Sequence, residues 1–485
     1  MSRPVAAALL LAMAGTLLLR TGILHSGYWI DEAIAVGIAS HDFADIPRTL
    51  RLDGSPPLFY LLLHGWMALV GTGEAATRVL PLLFALLAVP VSWWAGTAVC
   101  DRRAGALAAA GAAGCPFLTY YAQETRMYSL VAVLSVLACA SFVLAFLRGR
   151  RVHVWLLGVW IVLLLYTHNW ALFLAAGMGV AWLWLWHEGR VGGRDGALLA
   201  AGVALLYAPW VPSFAFQAAN TAAPWAQRPS ALDLLAIPGS LFGSVAAALL
   251  AIAALVTLHH RGAAEGVRVL ALIAAVAAGI AFLGSQLEPA WSTRYLAVLF
   301  GPLLLALAAV LSRGNHWTWL ALAGVAGVWV MSGPAPAKSN VRTVAATVAP
   351  QIRPGDLVAS TQPEQVPVLH RYLPAGVRFV TPLGPVADPR LTDWRDGVAW
   401  LRAGHAERVL APLVGRLARG RRVLLVTPVT RRRSPAPWNR AVRARTREWR
   451  AWLRADRRLR PIGRAPRSTF PPRRSQVRTQ LFEVR

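Results

Sequence analysis

The sequence predicts a polytopic α-helical membrane protein that ends in a small α/β domain. Of its 485 residues, 56% are hydrophobic, and the mean hydropathy is +0.49. Charged residues make up 15% of the chain, whereas soluble domains carry about 25%. The charge is also unevenly spread, because 31 of the 49 basic residues but only 9 of the 22 acidic ones lie between Lys338 and Arg485. A basic region that follows an apolar region indicates binding to a membrane surface rather than to nucleic acid.

The apolar part contains eleven candidate membrane spans. A transmembrane helix needs about 20 predominantly apolar residues. The first run resembles a signal peptide, but its length, its lack of a clear small-residue cleavage site and the many spans behind it favour a first transmembrane helix. The predicted spans cover about residues 4–24, 76–98, 104–121, 127–147, 152–167, 170–186, 197–212, 235–258, 267–284, 295–311 and 316–333.

A shorter apolar run, Pro56–Gly71, decides the topology because it has only 16 residues. If it lies on the membrane as a juxtamembrane helix of the first outer loop, and the N-terminus is cytoplasmic, the arginine-rich connections fall inside, as the positive-inside rule expects. If it spans, every later basic connection faces outward. We therefore predict a cytoplasmic N-terminus and an extracytoplasmic C-terminus, with an undetected extra span as the alternative. The basic connections lie near Arg102, Arg148, Arg190, Arg261 and Arg313.

Residues 336–485 form the predicted basic domain, behind a transmembrane region at residues 1–335. The stretches "RPGDLVAS", "RGRRVLLVTPV" and "TQLFEVR" are typical of strands bounded by turns. Asn439–Leu459 has apolar residues at helical spacing and arginines elsewhere. This basic helix either lies on anionic lipid headgroups or presents a solvated face. The three cysteines form no metal-ligand pattern and no disulfide framework, which favours small core residues.

Two arginines stand out on the predicted outer side. Arg126 and Arg294 lie at the outer ends of apolar helices, where an arginine needs an anion. A lipid phosphate would suit the planar guanidinium group. A protein carboxylate such as Glu124 or Glu288 is the alternative partner. The same outer connections contribute further polar and aromatic residues, namely Tyr128, His168 and Tyr295.

Two neighbouring carboxylates, Asp31 and Glu32, follow the first apolar run. In a helix, adjacent side chains point about 100° apart, so both cannot serve one reacting atom equally. One carboxylate can accept a proton from a hydroxyl nucleophile, while the other binds an acceptor or pairs with an arginine. The alternative is that both only cap a helix, because acidic residues are favoured at helix N-termini.

Seven motifs occur in an order that resembles a known family. They are "IDEA", "PPLFYLLLHGW", "GEAATRVLP", "DRRAGALAAA", "YYAQETRMYSL", "YTHNW" and "STRYLAVLFGPLLLALA", spread over about residues 20–310. The ordered set resembles the GT-C superfamily of polytopic glycosyltransferases. Within it, the likeness is to the bacterial branch related to protein O-mannosyltransferases (family 39) and aminoarabinose lipid A transferases.

The resemblance implies a sugar donor on a polyprenyl phosphate and a hydroxyl acceptor, meeting at the outer face of the bacterial inner membrane. By the same resemblance, Asp31 is the catalytic base, Glu32 is linked to acceptor binding, and Arg126 and Arg294 hold the donor phosphate. This chain departs from the pattern at Ser55, where relatives often have His or Lys. Supporting positions are Glu124, Tyr128, His168, Tyr295 and Glu288.

The implied reaction is a single displacement that inverts the anomeric centre. No dedicated metal cluster is visible in the sequence, but Glu124 or Glu288 could join Asp31 around a divalent cation, so metal dependence stays open. The expected partners are the lipid donor, an unidentified hydroxyl acceptor and the membrane, and no nucleic acid is expected. Two other classes remain: a flippase or transporter of lipid-linked sugars, and a non-catalytic scaffold with an outer binding domain. A transporter should show internal repeats or mid-membrane charges, and neither is convincing here.

Overall fold

The computed structural model describes residues 3–221, 223–333, 336–430, 436–462 and 476–485, with side chains from residue 7 onward. The apolar part is helical throughout. Its helices are α1 (Arg3–Leu19), α2 (Ile30–Ala39), α3 (Ile46–Asp53), α4 (Leu58–Val70), α5 (Glu74–Val99), α6 (Arg102–Gly114), α7 (Pro116–Tyr121), α8 (Tyr128–Phe146), α9 (Val152–Leu165), α10 (Ala171–His187), α11 (Gly193–Tyr207), α12 (Val211–Asn220), α13 (Ala231–Leu235), α14 (Ile237–Phe242), α15 (Ser244–Arg261), α16 (Glu265–Leu287), α17 (Phe300–Leu311) and α18 (His316–Met331).

The C-terminal part mixes helices and strands. It contains α19 (Val341–Val348), β1 (Leu357–Ser360), α20 (Val366–Tyr372), β2 (Arg378–Thr381), β3 (Gly384–Pro385), α21 (Gly397–Ala403), α22 (Ala406–Val409), α23 (Ala411–Gly415), β4 (Arg422–Pro428), α24 (Pro437–Ala455), β5 (Leu459–Pro461) and β6 (Val477–Val484). Short 3₁₀ helices cover Ala208–Trp210, Thr293–Leu299, Ala349–Gln351 and Pro363–Gln365.

Six helical segments among the described residues are long and apolar enough to cross a membrane. They are Glu74–Val99, Tyr128–Phe146, Gly193–Asn220, Ser244–Arg261, Glu265–Leu287 and Thr293–Leu311. Five further apolar helices of 10–17 residues are Ala7–Leu19, Leu58–Val70, Val152–Leu165, Ala171–His187 and His316–Met331. The predicted membrane character is confirmed, whereas the count of eleven spans stays a prediction.

Two predicted spans differ in detail from the structure. The span at 104–121 is broken, because α6 ends at Gly114 and α7 begins at Pro116. Proline cannot donate the backbone hydrogen bond that a continuous helix needs, but it suits a first helical turn. The span at 235–258 starts only at Ser244, because Gly243 adopts a φ of 86° that few other residues tolerate, and this ends α14.

The C-terminal strands form one six-stranded sheet in the order β3-β2-β1-β4-β6-β5. β1 pairs in parallel with β2 and β4, while β6 runs antiparallel to β4 and β5. The predicted basic helix is α24, and its apolar side chains Val442, Trp449 and Leu453 are buried in the protein. The apolar face is therefore covered by protein, which leaves the arginine-bearing face for lipid headgroups or solvent, and the choice between these two stays open.

The C-terminal part packs against the connection between α1 and α5, where α20 contacts α2. The Tyr28 amide donates to the Tyr372 hydroxyl over 2.8 Å, and that hydroxyl donates to Glu74 Oε1 over 2.8 Å. A Cβ added at Gly37 would collide with the backbone carbonyl of Arg390, so glycine permits this close approach. The sheet-bearing part is therefore held directly beside the start of α2.

Candidate functional site

Glu32 lies in the first turn of α2 and is 1% exposed. Arg78 of α5 binds it in a bidentate manner, with 2.7 Å from Nε to Oε1 and 2.7 Å from Nη2 to Oε2. The Thr125 amide also donates to Oε1 over 3.0 Å. Arg78 Nη1 additionally donates to the carbonyl oxygens of Ile23, Leu24 and Ser26. Glu32 thus joins three chain segments and has little capacity left for a substrate.

Asp31, its neighbour, faces a different environment, with a side chain that is 17% exposed. Its Oδ2 accepts a hydrogen bond from Arg294 Nη1. The Arg294 guanidinium lies 4.5 Å from the ring centre of Trp225 and 5.4 Å from that of Tyr295. Arg294 Nε is buried and has no hydrogen-bond partner in the described part of the chain. Among the described residues, the pair therefore keeps a carboxylate oxygen without a partner on a partly open side chain, together with an unpartnered, buried N–H group.

Arg126 approaches the backbone of Asp31. Its Nη1 donates to the Tyr60 hydroxyl over 3.1 Å and contacts the Asp31 carbonyl oxygen at 3.4 Å. Tyr60 in turn donates to Asp53 Oδ2 over 3.3 Å, which also accepts from Ser55 Oγ over 2.8 Å. Burial raises the pKa of Asp53 above its usual range, which the charge of Arg126 opposes. Ser55 thus contributes a hydroxyl to this chain of hydrogen bonds.

Glu124 is paired with Lys338, the single lysine of the sequence. The Lys338 side chain is 5% exposed, and its ammonium lies 4.1 Å from the Tyr120 ring centre and 5.2 Å from that of Trp29. Glu124 Oε1 has no hydrogen-bond partner within the described ranges. The alternative in which Glu124 pairs with Arg126 is not observed, because the carboxylate binds Lys338, which follows the last apolar helix.

An aromatic wall flanks Arg294. The rings of Tyr128, His168 and Tyr295 lie together, with 4.9 Å between the centres of His168 and Tyr295 and 5.9 Å between those of His168 and Tyr128. His168 Nδ1 accepts a hydrogen bond from the Trp170 amide over 3.1 Å. Burial lowers the pKa of His168 to about 3, and the nearby arginines add to this effect. His168 is therefore a neutral hydrogen-bonding group at physiological pH.

Glu364 brings a further carboxyl group from the C-terminal part. It is 5% exposed, and its Oε1 accepts from Trp438 Nε1 over 2.8 Å and from Gln362 Nε2 over 2.6 Å. Its Oε2 is buried and without a partner among the described residues. Burial raises the pKa of Glu364 to about 7, and the negative charge of Asp31 acts in the same direction.

Glu288 does not join this group. It follows α16, is exposed, and forms no ion pair with any residue that the structure describes. Neither of the two carboxylates that were expected to join Asp31 around a cation does so, because Glu288 is not part of this group and Glu124 is bound to Lys338. In the described ranges, no group of three or more His, Cys, Asp or Glu side chains is placed to hold a metal ion. The residues present therefore do not fit the divalent cation whose involvement the sequence leaves open.

The structure adds four residues that sequence reasoning missed: Arg78, Lys338, Asp53 and Glu364. Arg78 carried a usable signal, because a charged residue inside an apolar helix needs a partner. Asp53 ends α3, and nothing in the sequence ties it to Tyr60 of α4. Lys338 and Glu364 come from a region whose approach to α2 could not be derived from local patterns.

Together these residues form a compact charged site at one end of the helices. It offers a partly exposed carboxylate (Asp31), two guanidinium groups with unpartnered N–H donors (Arg126 and Arg294), and an aromatic wall. A carboxylate can accept a proton, and paired guanidinium groups can bind a phosphate and stabilise charge that develops on it.

Two solved structures of ArnT from Cupriavidus metallidurans have a similar fold. The form bound to undecaprenyl phosphate aligns over 99% of this chain and 98% of its own, at 13% identity and a TM-score of 0.60. The apo form aligns over 88% of this chain and 96% of its own, at 14% identity and a TM-score of 0.56. The archaeal oligosaccharyltransferase AglB from Archaeoglobus fulgidus, in complex with an inhibitory peptide and a dolichol-phosphate, aligns over 86% and 69%, at 12% identity and a TM-score of 0.55.

No protein-family model matches the chain, and no curated protein sequence matches it either. The structural likenesses therefore establish the fold, which runs through both the helices and the C-terminal sheet. The predicted GT-C-like architecture is confirmed at that level. The likeness does not single out the family 39 branch, which stays a prediction.

Proposed function

We propose that this protein is a membrane glycosyltransferase that transfers a sugar from a polyprenyl-phosphate donor to a hydroxyl acceptor. The observation that carries the proposal is the pairing of Asp31 with Arg294 in a partly open position, beside a second arginine, Arg126. A protein with the same fold has been crystallised with undecaprenyl phosphate, which supports a lipid phosphate as the anion that these arginines bind.

The proposed reaction is a single displacement at the anomeric carbon. Asp31 takes the proton of the acceptor hydroxyl as the acceptor oxygen forms its bond to that carbon. The bond between the carbon and the phosphate oxygen breaks, and the electron pair leaves with the lipid phosphate. Arg294 and Arg126 stabilise the charge that grows on this phosphate. Attack from the side opposite the leaving group inverts the anomeric centre.

Glu32 receives a different role from the acceptor contact that the resemblance implied. Both of its oxygens are engaged by Arg78, and it is almost fully buried, which supports a positioning role. Through Arg78 and Thr125 it fixes the start of α2, and hence the direction of Asp31, against α5 and the Arg126 segment. Tyr128, His168 and Tyr295 are proposed to line the donor side.

We place the site on the extracytoplasmic face of the bacterial inner membrane, with the N-terminus in the cytoplasm. The distribution of arginines along the connections supports this orientation. A flippase would also need lipid-phosphate arginines, but it has no need of the free carboxylate beside them. A scaffold would need neither. We therefore prefer the enzyme over both alternatives.

The test is sugar transfer by the purified full chain in lipid vesicles. Radiolabelled polyprenyl-phosphate sugars are supplied together with a panel of hydroxyl acceptors, and labelled product is counted. Asp31→Asn is expected to reduce transfer by about 10²–10⁴-fold, the usual contribution of a general base. Movement of the donor between leaflets without product formation would instead identify a flippase.

Asp45→Asn is the matched control for this variant. Asp45 lies in the same outer connection, is exposed, and precedes α3 without a side-chain hydrogen bond to that helix. The control should transfer sugar at the wild-type rate. If Asp31→Asn also transfers at that rate, Asp31 is not the base.

A further inference from the structure

A cavity of about 700 Å³ lies between the C-terminal part and the outer end of α12. Its volume is within the range of about 300–1,000 Å³ that holds small ligands. Leu52 and Pro363 line it, and Asp53, which follows Leu52, is joined to the Asp31 backbone through hydrogen bonds of Tyr60 and Arg126. The cavity therefore approaches the proposed reaction centre on the side of the C-terminal part.

The cavity is acidic although the surrounding region is strongly basic. Three of the nine acidic residues between Lys338 and Arg485 line it, namely Asp388, Asp393 and Asp396. Asp388 is already bound by His41 and Arg390, and Asp393 by Arg395. Asp396 is exposed, and no hydrogen bond or ion pair of its carboxylate occurs with any described residue.

A buried hydroxyl in the same wall also lacks a partner. Thr392 is 4% exposed, and its Oγ1 has no hydrogen-bond partner within the described chain. Leaving a buried polar group unpaired costs about 1–3 kcal/mol, so such a group calls for an explanation. Because Thr392 lines the cavity, we expect its hydroxyl to turn toward a ligand hydroxyl there, which would give it a partner.

The free groups of the cavity include both acceptors and donors. The Asp396 carboxylate accepts only, whereas Asn220 uses one of its two amide N–H groups on the Phe216 carbonyl, over 2.8 Å, which leaves its oxygen and its other N–H group. Arg395, the guanidinium in the lining, binds Asp393 through Nε and Nη2, and its Nη1 has no hydrogen bond to any described residue. Trp400 adds an indole that is 51% exposed and presents an apolar face with one N–H group.

This chemistry discriminates between ligand classes. A phosphorylated headgroup would bring negative charge and acceptors to a lining that already has both. A peptide backbone could pair with these donors and acceptors, but it has no apolar ring face to stack on Trp400. Each sugar hydroxyl both donates and accepts, and the sugar ring adds an apolar face for Trp400.

We infer that this cavity is the acceptor site and that the acceptor is an uncharged, hydroxyl-rich glycan, held by Asp396, Thr392 and Trp400. The inference rests on the proposed function, since it names the class of molecule whose hydroxyl Asp31 deprotonates. On this inference the C-terminal part selects the acceptor, while the helices and their arginines bind the donor.

The full chain in lipid nanodiscs tests this inference by binding to a glycan array. The array carries uncharged hexose and pentose oligosaccharides, their phosphorylated counterparts and short Ser- and Lys-rich peptides. We expect saturable binding of an uncharged oligosaccharide, with about tenfold weaker affinity in Asp396→Asn and in Thr392→Val. Thr392→Ser, which keeps the hydroxyl, should bind as the wild type does.

Two controls separate binding from folding. Asp45→Asn is matched to Asp396→Asn, because both residues precede a helix without capping it through the side chain. Thr392→Val removes an unpaired buried hydroxyl, so its thermal midpoint should not fall below that of the wild type. Weaker binding at an unchanged or higher midpoint then reports a lost contact.

Three outcomes overturn the inference: preferred binding of phosphorylated glycans or peptides, no saturable binding of any uncharged oligosaccharide, or wild-type affinity in Asp396→Asn. Undecaprenyl phosphate binding in the same nanodiscs reports separately on the donor side. If that binding depends on Arg294 while the glycan result fails, only the acceptor assignment is lost. If it does not depend on Arg294, the proposed function itself fails.

Discussion

Two neighbouring carboxylates, Asp31 and Glu32, form arginine pairs of opposite character. The buried pair, Glu32–Arg78, has side chains that are each 2% exposed, and its hydrogen-bonding groups are occupied by protein. The accessible pair, Asp31–Arg294, has side chains that are 17% and 16% exposed and retains unpartnered atoms. One residue step along α2 separates them.

The difference shows that the role of an ion pair depends on which of its hydrogen-bonding atoms remain without partners. A saturated, buried pair can only fix geometry, because any new partner would have to displace an existing one. A partly open pair with a free N–H and a free carboxylate oxygen can accept a substrate. Adjacent helical positions point about 100° apart, which lets one turn of α2 serve both purposes.

The largest effect on stability is expected from Glu32→Gln. The change leaves Arg78 as an uncompensated buried charge, which costs roughly 3–5 kcal/mol. We expect a clear fall in the thermal unfolding midpoint of the purified full chain, measured by intrinsic fluorescence. Asp31→Asn makes the same carboxylate-to-amide change one residue earlier and should leave the midpoint near that of the wild type. Equal midpoints for the two variants would contradict the distinction between a structural buried pair and an accessible pair.

Glu364 sharpens the comparison, because it is buried like Glu32 but pairs with no arginine among the described residues. Burial raises its pKa to about 7 in the folded protein, whereas an unfolded glutamate titrates near 4.3, as is typical. As pH rises from about 4 to 7, the unfolded chain loses this proton first, so folded stability falls and then levels off above about pH 7. The total change is on the order of 3 kcal/mol.

The measurement is the thermal midpoint of wild type and Glu364→Gln between pH 5 and pH 8. The neutral amide does not titrate, so the variant should gain stability relative to the wild type as pH rises through this window. A constant difference would mean that Glu364 is ionised throughout, and hence that a positive group offsets its burial.

The smallest effect is expected from Arg294→Lys. Lysine keeps the positive charge but loses the planar fork that matches a phosphate. We expect roughly tenfold weaker binding of undecaprenyl phosphate, equivalent to one charge-assisted hydrogen bond of about 1.5 kcal/mol. Arg228→Lys is the control, because Arg228 is an exposed arginine that donates to the Gln286 carbonyl. Equal affinities in the two variants would remove Arg294 from the donor site.

Much of the membrane part could be predicted because its signal is local. Hydropathy identified helices such as α5, α8 and α16, and helical spacing identified α24 with Val442, Trp449 and Leu453 on its buried side. The errors occurred at Pro116 and Gly243, where backbone chemistry interrupts an apolar run that composition alone treats as continuous.

The candidate site was predicted in part. Asp31, Arg126 and Arg294 meet as expected, because the sequence placed all three at the same ends of apolar helices. The pairing could not be predicted, since an arginine at such a depth can be satisfied by any nearby anion. Glu288 illustrates this limit: it is six residues from Arg294 in the sequence, yet Arg294 pairs with Asp31, 263 residues away.

The sequence by itself determined that this chain is built of apolar helices with a basic α/β end, because hydrophobic periodicity and charge are local properties. It also determined which residues had to find partners, since an ionised group near lipid cannot remain alone. Only the tertiary structure decided which partner each one found. In the folded chain Glu32 pairs with Arg78, Glu124 with Lys338 and Asp31 with Arg294, because hydrogen bonding depends on distances across the fold.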